Sequence, residues 1–429
     1  MPVAYIETYG CSANQSDSEI MAGLLSRAGF AILTDENAAA QADLVIINTC
    51  TVKAPTEHRT LCRIAELRKL GKPLIVAGCL AQSQPERVRA LAPRASIVGT
   101  HAVTEIAKIA IRALDGKRVE ALGEGGAKVC LPKIRRNPAI DIVQISKGCA
   151  GHCSFCAAKL ARGNLLSYPV DDVIKEISAA HAAGCREFWL TSQDCGAYGL
   201  DIGTNLAELL KEITNKVKGK YFLRVGMANP TFAKMHINEL IEAYQDSRVF
   251  KFLHIPAQSG SDRVLRDMKR GHFSSDVIDV VAAFREAFPK IQIWTDVIVG
   301  YPTETEEDFQ LSLDLIDEIR PDYVNVSRFG PRPGTPAARL KPLPTETLKG
   351  RSRRMSELCR SIALEQNKKW LGWKGEVIVD EFNAEKRSWI ARNFAYKPIV
   401  LEGKFKLGQI ASVKVDRADR VLFGSLNVP

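Results

Sequence analysis

K-G-C-A-G-H-C-S-F-C-A-A-K-L-A-R-G-N-L-L-S-Y, from Lys147 to Tyr168, sets Cys149, Cys153 and Cys156 in a C-x3-C-x2-C spacing. Three thiols within eight residues, amid glycines and basic residues, serve no ordinary hydrophobic core. Three thiolates can each ligate one iron of a cubane cluster and leave the fourth iron without a protein ligand. An open coordination position separates catalytic from structural metal sites. Two other readings stay open on spacing alone. A structural zinc knuckle could take His152 or a distant cysteine as fourth ligand, although the usual second C-x2-C pair is absent. The thiols could also carry no ligand.

The rest of the chain narrows the setting. At 429 residues, two or three domains are expected, each long enough for a real core. The composition, 46% apolar and 25% charged, is that of an ordinary soluble protein. No apolar run approaches membrane-spanning length, so no membrane partner is expected. The start, M-P-V-A-Y-I-E-T-Y-G, lacks a basic segment followed by an apolar core, as a signal peptide would have. A cytoplasmic location follows as an expectation. Eleven cysteines in such a chain point to metal or redox chemistry rather than disulfides. The net charge of +10 suggests an anionic partner, with nucleic acid first. A merely soluble basic surface is the plainer reading.

Residues 1–120 alternate strand and helix. The apolar runs 3–8, 44–48 and 74–78 suit buried parallel strands, and 16–28, 56–70 and 103–114 carry helical periodicity. This is a small doubly wound α/β domain. Cys11, Cys50 and Cys79 each fall just past a strand end, the edge where open α/β sheets bind ligands. Three such cysteines suggest a second three-thiolate site, against the plainer reading of three small buried hydrophobes. Residues 121–138, with L-P-K-I-R-R-N-P, read as an exposed basic linker.

From 139 to 369 the alternation continues. Strands at 142–146, 187–191, 221–226, 251–255, 293–299 and 323–328 are separated by helical segments, which predicts a partial (β/α)6 barrel. Barrel chemistry sits at the carboxyl ends of the strands, and the cysteine loop leaves the first of them. A basic helix over 345–369 closes this part. Residues 370–429 are short β-type runs at 376–380, 388–392, 398–401 and 412–417, a small antiparallel barrel like those that bind nucleic acid. Arg387, Arg392, Phe394, Tyr396 and Lys397 mix basic and aromatic side chains as a base-stacking surface would.

The cysteine loop resembles that of the radical S-adenosylmethionine (AdoMet) enzymes. T-Y-G-C-S-A-N-Q-S-D-S-E-I-M, N-T-C-T-V-K-A-P-T-E and G-C-L-A-Q resemble the N-terminal domain of one branch, the methylthiotransferases. T-S-Q-D-C-G-A-Y-G-L-D-I-G-T-N-L, C-S-F-C-A-A-K-L-A-R-G, L-R-V-G-M-A-N-P and R-P-G-T-P-A-A are more similar to the archaeal and eukaryotic group than to the bacterial ones. Cys195 stands where Thr is expected and Thr303 where Gly is more usual.

The resemblance implies two 4Fe-4S clusters and AdoMet. Cys149, Cys153 and Cys156 would hold the cluster that reductively cleaves AdoMet to a 5′-deoxyadenosyl radical. Cys11, Cys50 and Cys79 would hold an auxiliary cluster. Phe155 would line the adenine, Gln193 and Asp194 would hold AdoMet's polar end, Gln258 and Ser259 would lie in a contact segment, and Gly300 would approach the adenine. Lys159 and Arg162 are candidates for contact with AdoMet or the tRNA backbone. The last sixty or so residues resemble the RNA-binding TRAM domain, with Arg387, Arg392 and Lys397 as RNA contacts. The implied activity is methylthiolation at C2 of N6-threonylcarbamoyladenosine beside the tRNA anticodon, with an external electron donor and a sulfur donor. Alternatives are isopentenyladenosine or a ribosomal-protein aspartate as acceptor, or a noncatalytic RNA-binding protein with structural zinc.

Overall fold

Short buried runs of Val, Ile and Leu build the first sheet in the computed structural model, which describes residues 1–35 and 38–427. The strands are β1 (Val3–Thr8), β2 (Ala31–Leu33), β3 (Leu44–Thr49), β4 (Leu74–Gly78), β5 (Ser96–Val98) and β6 (Glu120–Ala121). They pair in the order β2-β1-β3-β4-β5-β6 and all run parallel. β3 and β4 are buried along their whole length, as strands covered on both faces must be. Periodicity reveals β1, β3 and β4. It misses β2, β5 and β6, which are only two or three residues long.

The stretch read as an exposed linker is largely anchored. Lys128 is buried against Asp17 at 2.7 Å, and Lys133 meets Asp141 at 3.2 Å and Glu176 at 2.5 Å. These cations find buried carboxylates on either side of the domain junction, so charge here does not mean solvation.

β7 (Ile140–Gln144), β8 (Ser146–Lys147) and β9 (Leu166–Ser167) frame the cysteine loop, with β8 and β9 antiparallel. β10 (Glu187–Thr191) and β11 (Phe222–Val225) extend β7 into one parallel sheet. β12 (Phe252–His254), β13 (Gln292–Val299) and β14 (Tyr323–Arg328) make a second. Together the two parallel sheets form the six-stranded partial barrel. Its helices pack outside; the helix Val170–Ala182 starts with Asp171 and Asp172 in its first turn, where acidic groups suit the helix dipole.

The helix Thr345–Lys368 leads to β15 (Lys374–Asn383), β16 (Ser388–Arg392), β17 (Pro398–Leu401), β18 (Ile410–Ala418) and β19 (Leu422–Leu426). These close into a barrel of order β15-β16-β17-β19-β18, antiparallel except for the β17–β19 pair.

The central barrel is covered at both ends. Ser12 meets Thr191, at the carboxyl end of β10, at 2.7 Å, and the Ser16 hydroxyl donates to the Ile142 carbonyl, midway along the edge strand β7, at 3.1 Å. At the opposite end Tyr396 lies on Phe250 and Phe252, and the Lys251 amide donates to the Phe394 carbonyl. Among the described residues, no helix is long and apolar enough to cross a membrane.

Candidate active site

The central triad is made by a loop that doubles back on itself. Gly148 adopts φ +70°, and a Cβ there would lie 1.8 Å from the Asn164 carbonyl oxygen, so only glycine permits the return. The Cys149 amide then bonds the Gly163 carbonyl at 3.2 Å. Cys156 stands directly before the helix Ala157–Arg162. Donors face the sulfurs: the Gly151 amide is 3.2 Å from Cys149 Sγ, and Arg270 Nη1 is 3.3 Å from Cys153 Sγ. Burial, with Asp194 nearby, pushes the Cys149 thiol up to about 11, and burial also raises Cys156. A thiol in such a site stays protonated until a metal displaces its proton.

The N-terminal triad is assembled from three strand ends. Cys11 precedes the helix Ser12–Arg27, Cys50 follows β3, and Cys79 opens the short helix after β4. Gly10 allows close approach: a Cβ there would lie 3.0 Å from Cys50 Cβ and 3.2 Å from its Sγ. Gly78 has φ +92°, and a Cβ would lie 2.2 Å from Asn48 Oδ1. Burial pushes Cys50 up to about 12 and also raises Cys79. Asn14 ties the site together. Its amide donates to the Tyr9 and Thr49 carbonyls, and its Oδ1 accepts from Cys79 Sγ at 3.5 Å.

Comparison with known proteins places this architecture. Residues 3–99 match the uncharacterized protein family UPF0004, and 143–316 match the Radical SAM superfamily. The chain is 44% identical, over 96% of its length and 95% of the relative's, to a probable threonylcarbamoyladenosine tRNA methylthiotransferase of Archaeoglobus fulgidus. It is 38% identical to the human threonylcarbamoyladenosine tRNA methylthiotransferase, over 92% of this chain and 69% of that one. The chain belongs to this methylthiotransferase family. In fold it is similar to a radical S-adenosylmethionine methyltransferase from Kitasatospora setae, with TM-score 0.57, 16% identity and coverage of 79% and 75% of the two chains.

The side chains present at both triads fit the clusters of a methylthiotransferase. Each triad presents thiols alone, with glycine backbone against sulfur and a hydrogen-bond donor aimed at it. Among the described residues, no three His, Cys, Asp or Glu side chains group around one point as a single zinc ion requires.

The other expected residues fare unequally. Phe155 packs against a small core cluster that includes Tyr301 and Phe329. Gln193 Oε1 is buried and lacks a donor among the described residues. Asp194 Oδ1 accepts from the Gly196 and Asn229 amides at 3.1 and 3.0 Å, and burial pushes its carboxyl up to about 6. Gln258 takes φ +69° between Asp296 and Ile298. Ser259 is fully buried, and its oxygen meets Ser312 and the Ser261 amide, so it shapes a turn instead of offering a hydroxyl to a ligand. Gly300 has φ +76°, and a Cβ would strike Leu348 at 1.9 Å, so helix packing explains this glycine without an adenine.

Three expected RNA contacts are corrected. Arg162 is buried against Asn14 and Asp17. Arg392 bonds Asp380 at 2.8 Å and lies over the Tyr396 ring. Lys397 is buried on Asp322 at 2.7 Å, pinning the C-terminal barrel to the central one. In each case a carboxylate captures the cation, from a distant segment for Arg162 and Lys397 and from the neighbouring strand for Arg392. Lys159 turns its amine onto the Cys149 carbonyl, at the edge of a cavity of about 320 Å³ that opens beside Cys149. Arg387 is exposed and remains available.

Sequence reasoning passed over Arg270, Asn14 and the links that join Lys53 through Asn325 and Asp296 to His254. That chain runs from the N-terminal domain into the barrel: Lys53 Nζ donates to Asn325 at 2.7 Å, Asn325 to Asp296 at 2.6 Å, and His254 Nε2 lies 2.7 Å from Asp296. Lys53, three residues past Cys50, and His254, at the end of the fourth barrel strand, carry positional hints.

Proposed function

We propose that this chain inserts a methylthio group at C2 of N6-threonylcarbamoyladenosine next to the tRNA anticodon. Two 4Fe-4S clusters and AdoMet would serve it, one cluster on each cysteine triad. Membership of the family supports the reaction and substrate. The observation that carries the two-site reading is that six thiols, three from each domain, lie on the two sides of one domain interface. An aryl C–H offers no useful acidity, so acid–base side chains are a poor route to its cleavage. A bound cluster with AdoMet supplies the missing chemistry, a carbon radical able to take that hydrogen.

The protein's own residues have the remaining tasks. Arg270 and the Gly151 amide offset negative charge at Cys153 and Cys149. Asp194 keeps Oδ1 on two amides and offers its second oxygen to a cationic group of the cofactor, while Gln193 Oε1 awaits a donor. The N-terminal domain covers the rim and keeps water from the reacting atoms. Arg387 gives the C-terminal barrel one cation for a phosphate. An external electron donor and a sulfur donor would complete the reaction, and a tRNA substrate fits a cytoplasmic enzyme.

Mass spectrometry of tRNA nucleosides tests this reading. Incubation with tRNA carrying the threonylcarbamoyl group should yield the 2-methylthio nucleoside, and tRNA lacking that group should yield none. Equal modification of isopentenyladenosine would overturn the substrate assignment.

A further inference from the structure

Arg162 belongs to one triad by sequence and to the other by contact. It ends the helix Ala157–Arg162, which begins directly after Cys156. Yet its guanidinium reaches into the N-terminal domain, with the side chain only 2% exposed. Nη2 bonds Asn14 Oδ1, the same oxygen that accepts from Cys79 Sγ, and lies 2.9 Å from Asp17 Oδ2. Asp17 is shared with Lys128 at 2.7 Å. Burial pushes the Asp17 carboxyl up, but Arg162 and Lys128 outweigh it and hold it below its usual value. Two cations and one anion leave this buried group with a net charge of about +1 beside the cysteines.

A purely structural role accounts for part of this arrangement and leaves one feature over. Among the described residues, Arg162 Nη1 is buried and has no partner. A guanidinium stays charged at any working pH, so this donor cannot be neutralised, and a dry unpaired donor is costly. Its charge acts on Cys79, Cys11 and Cys50 as well as on Asp17. Sulfur at the triad is the acceptor such a donor lacks.

We propose that Arg162 is a positioning residue for the auxiliary site: it carries a permanent positive charge from the radical-site helix to the cluster held by Cys11, Cys50 and Cys79, and donates Nη1–H to a sulfur there. The inference rests on the two-cluster reading above. A fixed cation beside an iron–sulfur cluster stabilises its reduced, more negative state and raises its potential. Because the same side chain is rooted at the end of the helix that Cys156 starts, it also holds the two sites in register.

The test uses the full chain with Cys149, Cys153 and Cys156 all replaced by Ala, so that only the auxiliary cluster remains after anaerobic reconstitution. Its midpoint potential is measured by EPR-monitored titration with Arg162 intact, with Arg162→Lys and with Arg162→Gln. The Gln variant should titrate at a lower potential than the parent, and the Lys variant should stay closer to it. Loading of iron by Lys but not by Gln also supports the role of charge. An unshifted potential in a fully loaded Gln variant would overturn the inference, as would equal loss of iron from both variants. A parent that binds no iron would instead sink the two-cluster reading beneath it.

Discussion

The two triads present the same three thiols and are built by opposite means. The central one is local: a single loop closed at Gly148 carries every sulfur, and a short helix follows. The N-terminal one is tertiary: its cysteines run from Cys11 to Cys79 and meet only because β1, β3 and β4 are neighbours in one parallel sheet. A loop can shift a little and keep its ligands together. A site held by three strand ends has no such slack, because moving one thiol means moving a strand in a packed core. The difference predicts separable chemistry and unequal tolerance to substitution.

Separability has the largest consequence. Cys153→Ala should abolish 5′-deoxyadenosine formation altogether, whereas Cys50→Ala should keep that cleavage and lose methylthiolated nucleoside. Chromatography of the adenosine products alongside nucleoside mass spectrometry reads both. Full product from either reconstituted variant would show that the two triads do not divide the work as their geometry suggests.

Gly78→Ala asks how rigid the tertiary site is. The new methyl would lie 2.2 Å from Asn48 Oδ1 and 2.6 Å from the Thr49 carbonyl oxygen, on a backbone at φ +92°. Forcing β3 and β4 apart should cost about 3 kcal/mol, from overpacking and backbone strain together. Iron should fall from about eight to about four per chain, with the central cluster retained. Denaturation and iron assay check the two parts; loss of the central cluster instead would break the comparison.

What the sequence revealed follows the same division. Cys149, Cys153 and Cys156 were legible from spacing, and Cys11, Cys50 and Cys79 from apolar runs that end at each one. What escaped was whatever depends on a distant partner. Arg162 reads like any basic helix residue, since nothing near it announces Asn14, 148 positions away. Lys397 and Arg387 look alike in sequence, yet Asp322 buries the first and, among the described residues, no carboxylate captures the second. The helix from Ser12 was expected to begin at 16 because its first turn is polar. Asn14, Ser16 and Asp17 are nonetheless buried, facing the other domain and the cysteines. Polar burial at an interface defeats any reading that equates polarity with solvent.

Acid sharpens the comparison next. His272, beside Arg270, and His101, near Arg162, are both pushed down to about 4, by burial first and by neighbouring cations second. Each folded value lies below the ordinary 6.5, so on acidification the unfolded chain takes up protons first. The two histidines should therefore lower stability as pH drops from about 6.5 towards 4, while buried Asp194 and Glu187, whose carboxyls are held up to about 6 and about 8, act in the opposite sense. Buried His272 contributes about 2 kcal/mol between about pH 7 and 5. Urea denaturation of the parent and of His272→Gln across that range isolates this contribution: the parent should lose about 2 kcal/mol more than the variant. Equal slopes in the two proteins would contradict the assignment.

The smallest expected effect is the most discriminating. Gly151 touches Cys149 Sγ and Cys153 Sγ as Gly78 touches the other site, but a Cβ there would sit 3.4 and 3.8 Å from the sulfurs, in ordinary contact. Ala would also keep the amide that donates to Cys149. Gly151→Ala should change stability by less than about 0.5 kcal/mol and leave iron content and AdoMet cleavage intact. If it emptied the central site as Gly78→Ala empties the other, the loop would be as finely constrained as the strand ends. The contrast between a local and a tertiary cysteine site would then reduce to a difference in chain path, with no difference in tolerance.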